Sequence, residues 1–417
     1  MASVPLRIGD LAVRQTGNCF TCFSGITYWK GVFCKTKVTA KMKYSVVFIG
    51  LLLYAHASAQ LTQEQRIQDS IIGWRSVLPK KATTAITKNG YTFSVAQQEK
   101  LNEVIRWMHK TYSPVGGLGT FEKNFDADQG IKRYPPHIYG IEFRVWNVTY
   151  DKRWMTTDGR FKPVSEEYRS FFIAANFIPE SRPVIFLNNS NRYVFTMPPD
   201  GSGGEQLRAR RKDADPRIHP NVYPYITRQS EFQVVYLVPG NTLPVKTVTK
   251  GELLDMAESS IETVLKSEWE KVNTQFPDAK VAQEAFDVRK KGIEQHRIYI
   301  QQLRKKHQQS LDQPAIVGTA DLTVYGFDFD RDPFDITDIE KQRKQYYTVH
   351  QYTKELLDKC RTDQPQWIAI AVPFKTREDG NQEFEMYTSV IENFNYSYAY
   401  NYFFDPAKVK GIVLTPY

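Results

Sequence analysis

A chain of 417 residues, 41% hydrophobic and 24% charged, has the balance of a folded protein with room for two or three domains, which excludes a disordered chain. Its formal net charge of +9 is concentrated in residues 1–59, which hold seven Lys and Arg against a single acid. The remainder carries 48 basic and 45 acidic residues, a surplus too small to argue for electrostatic capture of nucleic acid.

Lys41 and Lys43 precede an apolar run, Tyr44–Tyr54, and Ala57-Ser58-Ala59 follows it with Gln60 next. That order of positive, apolar and small residues predicts a signal peptide over residues 42–59, cleaved after Ala59. The run falls short of the roughly 20 residues that span a bilayer and no stop-transfer pattern follows, so no membrane span is expected after cleavage. Gln60 stands where a lipoprotein needs Cys, so no lipid anchor is expected either. Met42 is the expected initiator and residues 1–41 a misassigned leader. Cys19, Cys22 and Cys34 fall in that leader, leaving Cys360 alone in the exported chain, without an intramolecular disulfide. Cys19-x-x-Cys22 lacks the second Cys or His pair that a zinc site needs. A periplasmic or secreted location is the expectation.

Leu61–Trp74 places Ile67, Ile71 and Ile72 at helical spacing and predicts a short helix. Ser94 and Gln97 form a capping-box pattern ahead of Val95, Leu101, Val104, Ile105 and Met108, which predicts a helix over Val95–Tyr112. Strands are predicted at Ile141–Tyr150, Phe171–Ile178, Pro183–Leu187, Tyr193–Met197 and Phe232–Val238, where Val, Ile, Phe and Tyr are bounded by turn residues. Pro198–Pro224 reads as an exposed loop. Thr249 and Glu252 repeat the capping box, opening a helix to about Phe276; Pro277-Asp278 breaks it, and a second helix runs to about Gln309. Beyond Pro314, strands are predicted at Ile316–Phe329, Gln366–Phe374, Met386–Ile391 and Gly411–Leu414, with a helix over Asp338–Cys360. The expected fold class is α+β: antiparallel β-rich parts, 60–248 and 249–417, with a long antiparallel helical pair opening the second.

Phe394, Tyr396, Tyr398, Tyr400, Tyr402 and Phe404 occupy alternate positions. On a strand they would share one face, because its side chains alternate with period two. Buried, the row is a core seam, the preferred reading; exposed, it is a stacking platform for sugar rings and the leading candidate for ligand binding. Asp328, Asp330, Asp332 and Asp335 begin like a calcium loop. Pro333 and Ile339 stand where an EF-hand needs Gly and a bidentate acid, so a solvated acidic turn is the preferred reading and calcium the alternative. No other cofactor is implied. The histidines form no HExxH pair; His350 and Glu355 share a helix face imperfectly, and His350 reads as a surface residue. Neither a G-x-S-x-G elbow nor a P-loop is present, Gly201–Gly204 lacking the Lys that a P-loop requires. Cys360 reads as a buried small hydrophobe rather than a nucleophile. Arg208–Lys212 is followed at once by Asp213 and Asp215 and reads as a solvated loop.

Val238-Pro-Gly-Asn-Thr-Leu-Pro-Val-Lys-Thr-Val-Thr-Lys-Gly-Glu-Leu-Leu254 resembles a passage in exported proteins of the Bacteroidota that have no defined activity. Gln364-Pro-Gln-Trp-Ile368 and Asn395–Phe404 have a similar flavour. The resemblance implies an envelope or secreted location and names no catalytic residue. Aromatic content of 13% with no catalytic motif leads to the expectation of a non-enzymatic exported protein that binds a glycan or an envelope protein. The alternatives are a hydrolase of envelope polymers using paired carboxylates, and a structural assembly component whose long helices present a docking face.

Overall fold

The computed structural model describes residues 73–88, 90–125, 137–148, 163–179, 181–188, 193–197, 226–229, 232–241, 243–318, 326–336 and 346–417. The signal-peptide segment, the Cys19-Cys22 pair, the Pro198–Pro224 loop with Gly201–Gly204 and Arg208–Lys212, and nearly all of Leu61–Trp74 lie outside them.

In chain order the elements are β1 (Ile86–Lys88), β2 (Tyr91–Phe93), α1 (Val95–Thr111), β3 (Gly117–Asn124), β4 (Tyr139–Val148), β5 (Pro163–Ala175), β6 (Arg182–Pro183), α2 (Ile185–Asn188), β7 (Val194–Met197), β8 (Ile226–Gln229) and β9 (Phe232–Leu237). They continue with β10 (Lys246–Thr247), α3 (Lys250–Gln275), α4 (Ala279–Lys306), β11 (Ile316–Gly318), β12 (Tyr346–Gln351), α5 (Lys354–Cys360), β13 (Ile368–Pro373), α6 (Asn381–Thr388) and α7 (Tyr396–Phe404), a π-helical turn over Ser389–Asn393 joining the last two. The fold is α+β, as expected.

Two larger sheets are present among the described residues, and strands from both sides of the helical pair enter each. The six-stranded sheet has the order β3-β4-β5-β13-β9-β8, antiparallel throughout. In the five-stranded sheet β12 pairs with β7 on one edge and with β10 and β11 end to end on the other. The uninterrupted apolar runs of β9 and β13 follow from burial on both faces. Val235, Leu237, Ile368, Ile370 and Val372 point into the core under α1, α6 and α7. Val234, Tyr236, Trp367, Ala369 and Ala371 point to the opposite core, against α5 and β7. A third core fills the space between the helical pair and the five-stranded sheet, with Leu253, Leu254, Ile261, Ile300 and Leu303 packed on Val194, Val317 and Val349.

Both capping boxes form as the sequence predicts. Gln97 N donates to Ser94 Oγ at 3.1 Å while Ser94 N donates to Gln97 Oε1 at 2.9 Å; Glu252 N to Thr249 Oγ1 and Thr249 N to Glu252 Oε2 measure 3.2 and 3.0 Å. Asp278, the residue of the break, caps α4 by accepting from Lys280 N and Val281 N at 2.8 and 3.0 Å. Along the pair, the carboxylate of Glu268, 1% exposed, is held by Lys271 and by Arg289 at 3.0 Å. Burial pushes its pKa up, but the hydrogen bonds from Lys271 and Arg289 outweigh burial and hold it below the ordinary 4.5.

Four predicted elements are corrected. Asp338–Cys360 is not one helix: Tyr346–Gln351 is a strand rich in Tyr, Thr and Val, and a new helix starts at Thr353, whose hydroxyl accepts from Leu356 N. Met386–Ile391 is helical, and Met386, Tyr387, Val390, Ile391 and Phe394 bury one face at three- and four-residue steps. Within Pro183–Leu187 the strand ends at Pro183, and after Val184 N donates to Val194 O (3.0 Å) the chain turns into the short α2. Gly411–Leu414 forms no strand; the tail lies along α7.

Asn176, at the end of β5, is fully buried with φ of 58°. Its Nδ2 donates to the carbonyls of His137 (2.9 Å) and Cys360 (3.2 Å), its Oδ1 accepts from Gln366 N (2.8 Å), and its own N donates to Trp367 O (3.0 Å). Asn176→Ala should lower the unfolding free energy by about 3 kcal/mol, because it strips bonds from buried carbonyls and places a β-carbon without a compensating amide at positive φ. Urea denaturation measures this, and a loss under about 1 kcal/mol would show that the node is dispensable. For Glu268 the lowered pKa means that its stabilisation is complete above the unfolded value and fades as pH falls through the lower folded one. Glu268→Gln should therefore depress the melting temperature at neutral pH, with the gap closing in acid; a gap independent of pH would contradict the pairing.

Candidate binding pocket

The alternating aromatic row is a helix rather than a strand. Asn395 caps α7 by accepting from Tyr398 N at 2.9 Å, and the helical period divides the rings. Tyr396, Tyr400 and Phe403, at steps of four and three, are buried in the core, as is Phe394; Phe404 is partly buried against Tyr400 at 5.3 Å. Tyr398 and Tyr402 turn toward α1 and meet Trp107 edge-on, at 5.6 and 4.8 Å between ring centroids. The six rings therefore share no single face, and Tyr398 is the one that reaches the pocket wall.

That pocket, of about 280 Å³, lies between α1, α7 and the C-terminal tail. Trp107 forms its floor, and Leu78, Ile412 and Val413 its exposed rim, at 48%, 57% and 64% exposure. The tail is fixed there by backbone and side-chain bonds: Tyr398 Oη donates to Ile412 O (2.8 Å), Asn395 Nδ2 to Thr415 O (3.0 Å), and Tyr417 N to Asn393 O (2.9 Å). Glu103, Arg106 and Lys110 line the α1 side, Glu103 being paired with Arg106. Burial, with the nearby Glu103 carboxylate, pushes the Tyr402 phenol up to about 12, so it stays neutral. His109 stacks on Trp74 at 4.5 Å, and burial lowers its pKa.

The volume sits at the small end of ligand pockets, about 300 Å³ and upward, and suits one apolar side chain or one ring. No nucleophile stands beside a base here. Trp107 and the Ile412–Leu414 tail were not singled out from sequence; Trp107 lies in the α1 apolar pattern, but the tail reaches it only through the long-range bonds just described.

The aspartate cluster is a clamped turn. Asp328 Oδ1 accepts from Asp330 N and Asp332 Oδ1 from Phe334 N, both at 3.0 Å, while Asp332 Oδ2 meets Lys306 Nζ and His307 Nε2, both at 2.7 Å. Burial works to raise the Asp332 pKa, and the bonds from Lys306, Phe334 N and His307 bring it below the ordinary value. The Asp335 carbonyl accepts from Tyr346 Oη at 3.3 Å. Among the described residues no three His, Cys, Asp or Glu side chains converge as a metal site. The loop joins the end of α4 to the sheet below, with the Asp328 carboxylate spent on the turn and that of Asp332 on turn and helix. Where acids do gather, cations bridge them, as Arg144 does between Glu122 and Glu142.

His350 lies on β12 and Glu355 on α5, so they share no helix. His350 is partly buried, and burial lowers its pKa to about 4. His137 stacks on Phe93 at 4.3 Å and is lowered to about 4 by burial and by Arg361. No helix among the described residues is long and apolar enough to cross a membrane. No family model, curated protein or solved structure matches the chain.

Cys360 is buried without exposed surface, and burial pushes its thiol up to about 12. The native protein is expected to leave this thiol unreactive toward a maleimide at neutral pH, with labelling appearing only on unfolding. Mass-spectrometric mapping of the labelled peptide measures this; fast labelling of native Cys360 would revive a chemical role.

Proposed function

We propose that the chain is an exported, non-enzymatic binding protein of the cell envelope, and that the Trp107 pocket holds the part of its partner that carries affinity. What supports this reading is the exposed aliphatic rim. Leu78, Ile412 and Val413 stand in solvent around an aromatic floor although the same segments bury Leu414 and Trp107. Contiguous exposed apolar surface of that kind marks an interaction site more often than a bare surface. Trp107 is only 3% exposed, so flat stacking of a sugar on its face is less well served than insertion of an apolar side chain against its edge. A protein partner is therefore favoured over a glycan. The rim charges Arg106 and Lys110 would orient an acidic neighbour of the inserted residue.

The purified chain should be screened by thermal shift against glycans, peptidoglycan fragments and short peptides with a Leu or Phe beside Asp or Glu. A ligand that binds only the folded state stabilises it by about 2.7 kcal/mol at a hundredfold excess over its dissociation constant. The expected result is a rise in melting temperature with peptides, lost in Ile412→Asp and Val413→Asp, whose own stability stays near that of the parent. A peptide shift unaffected by these substitutions removes the pocket from the reading. A shift with glycan accompanied by release of shorter products would replace binding by hydrolysis.

A further inference from the structure

We infer that an exposed flank of α4 is a self-association surface, on which a second copy of this chain packs antiparallel about a two-fold axis near Val288. Along its length α4 buries only Ala282, Ile293, His296, Ile300 and Leu303, all on the side turned to α3 and the sheet. On a flank about a quarter-turn from them, Val281, Ala285, Val288, Gly292 and Gln295 follow at steps of four and three, the spacing that keeps one stripe in line along a helix, and Tyr299 ends the stripe where it packs partly against the core. Val281 is 45% and Val288 74% exposed. Gly292 has nothing within 4 Å of where a β-carbon would stand, so the monomer supplies no steric reason for a glycine inside this helix.

Charge selects the occupant. Acids precede Val288 (Glu284, Asp287) and bases follow it (Arg289, Lys290, Lys291). Arg289 is engaged with Glu268 and Asp287 with Gln283, but Glu284, Lys290 and Lys291 make no ion pair among the described residues. A two-fold axis perpendicular to two antiparallel helices brings like flank to like flank, and places each residue opposite the one equally far beyond Val288. Glu284 and Lys291 lie on the same flank, four residues before and three after the axis, so each Glu284 falls about one residue rise, roughly 1.5 Å along the helix, from Lys291 of the other copy. The pair is made twice, as an isologous interface requires.

The same register opposes Tyr299 to Pro277 of the second copy. Phe329, 41% exposed and edge-on to Tyr299 at 5.5 Å, stands at that end, where the Phe276-Pro277 turn of the second copy would cover it.

Sedimentation velocity and light scattering of the purified chain over a wide concentration range should show a reversible dimer. Val288→Asp should weaken it by about tenfold or more, the effect of removing a central apolar contact. Glu284→Lys and Lys291→Glu should each weaken it, and the double exchange should restore it, a rescue that general destabilisation cannot produce. All three positions are solvent-exposed, and unchanged melting temperatures in dilute solution establish that the variants fold. A monomer at every concentration overturns the proposal, as does a dimer indifferent to Val288→Asp or a double exchange without rescue.

Discussion

The arrangement of the two sheets rests on one buried amide. Asn176 occupies left-handed backbone, a conformation that Asn tolerates better than most residues, and the turn it makes there aims its side chain at three other chain segments. After β9 the chain leaves the six-stranded sheet, builds β10, the helical pair, β11, β12 and α5, and only then returns as β13 to lie between β5 and β9. The return strand is central, so the sheet is incomplete until the excursion has folded. Asn176 meets the chain as it comes back, binding the last residue of α5 and the two residues that lead into β13. Such non-local pairing makes closure entropy a term that β13 must overcome, and specific bonds at its entrance fix which register wins.

Once β13 is seated, the other layers have surfaces to pack on. Its two faces feed two separate cores, one under α1, α6 and α7 and one against α5 and β7, while β12 belongs to the sheet that carries the helical pair. The helices are consequently outer layers on opposite sides of the molecule. Glu268 shows what holds the exposed half of the pair, where few apolar side chains are covered. A buried carboxylate is tolerable there because two cations satisfy it, and removing either partner would leave a desolvated charge.

Legibility in the sequence followed the range of the interactions involved. Helices opened by Ser94, Thr249 and Asp278 could be read because cap, first turn and apolar spacing lie within a few residues of one another. The strands at Phe171 and Phe232 were visible for the same local reason. Phe394–Phe404 misled because two periods fit it: alternate rings suggest a strand, while Tyr396, Tyr400 and Phe403 satisfy a helix. What decides is the surface on which they pack, the α1 face carrying Trp107, nearly three hundred residues away in sequence. Asp338–Cys360 misled because Leu356, Leu357 and Cys360 belong to a true helix whose pattern was extended backward over a strand. The aspartates could be recognised as turn formers, but their burial against Lys306 and His307 depends on where α4 ends.

The exposed large apolar residues are not scattered. Of the ten among the described residues, Val77, Leu78, Ile412 and Val413 lie at or beside the Trp107 pocket, and Val281, Val288, Ile298 and Phe329 on or against α4. Scattered apolar residues on a surface need no explanation, but two concentrations in different layers do. They also differ in kind. The first is a small concavity rimmed by aliphatic side chains, which suits a single inserted group; the second is a long convex face with opposite charges on either side of Val288, which suits another helix. Because sheets and cores separate them, occupation of one leaves the other open, and a chain paired through α4 would carry two Trp107 pockets. A partner with two matching side chains could then be held by both, and the gain in avidity would depend on the spacing that the helical arms impose rather than on the depth of either pocket.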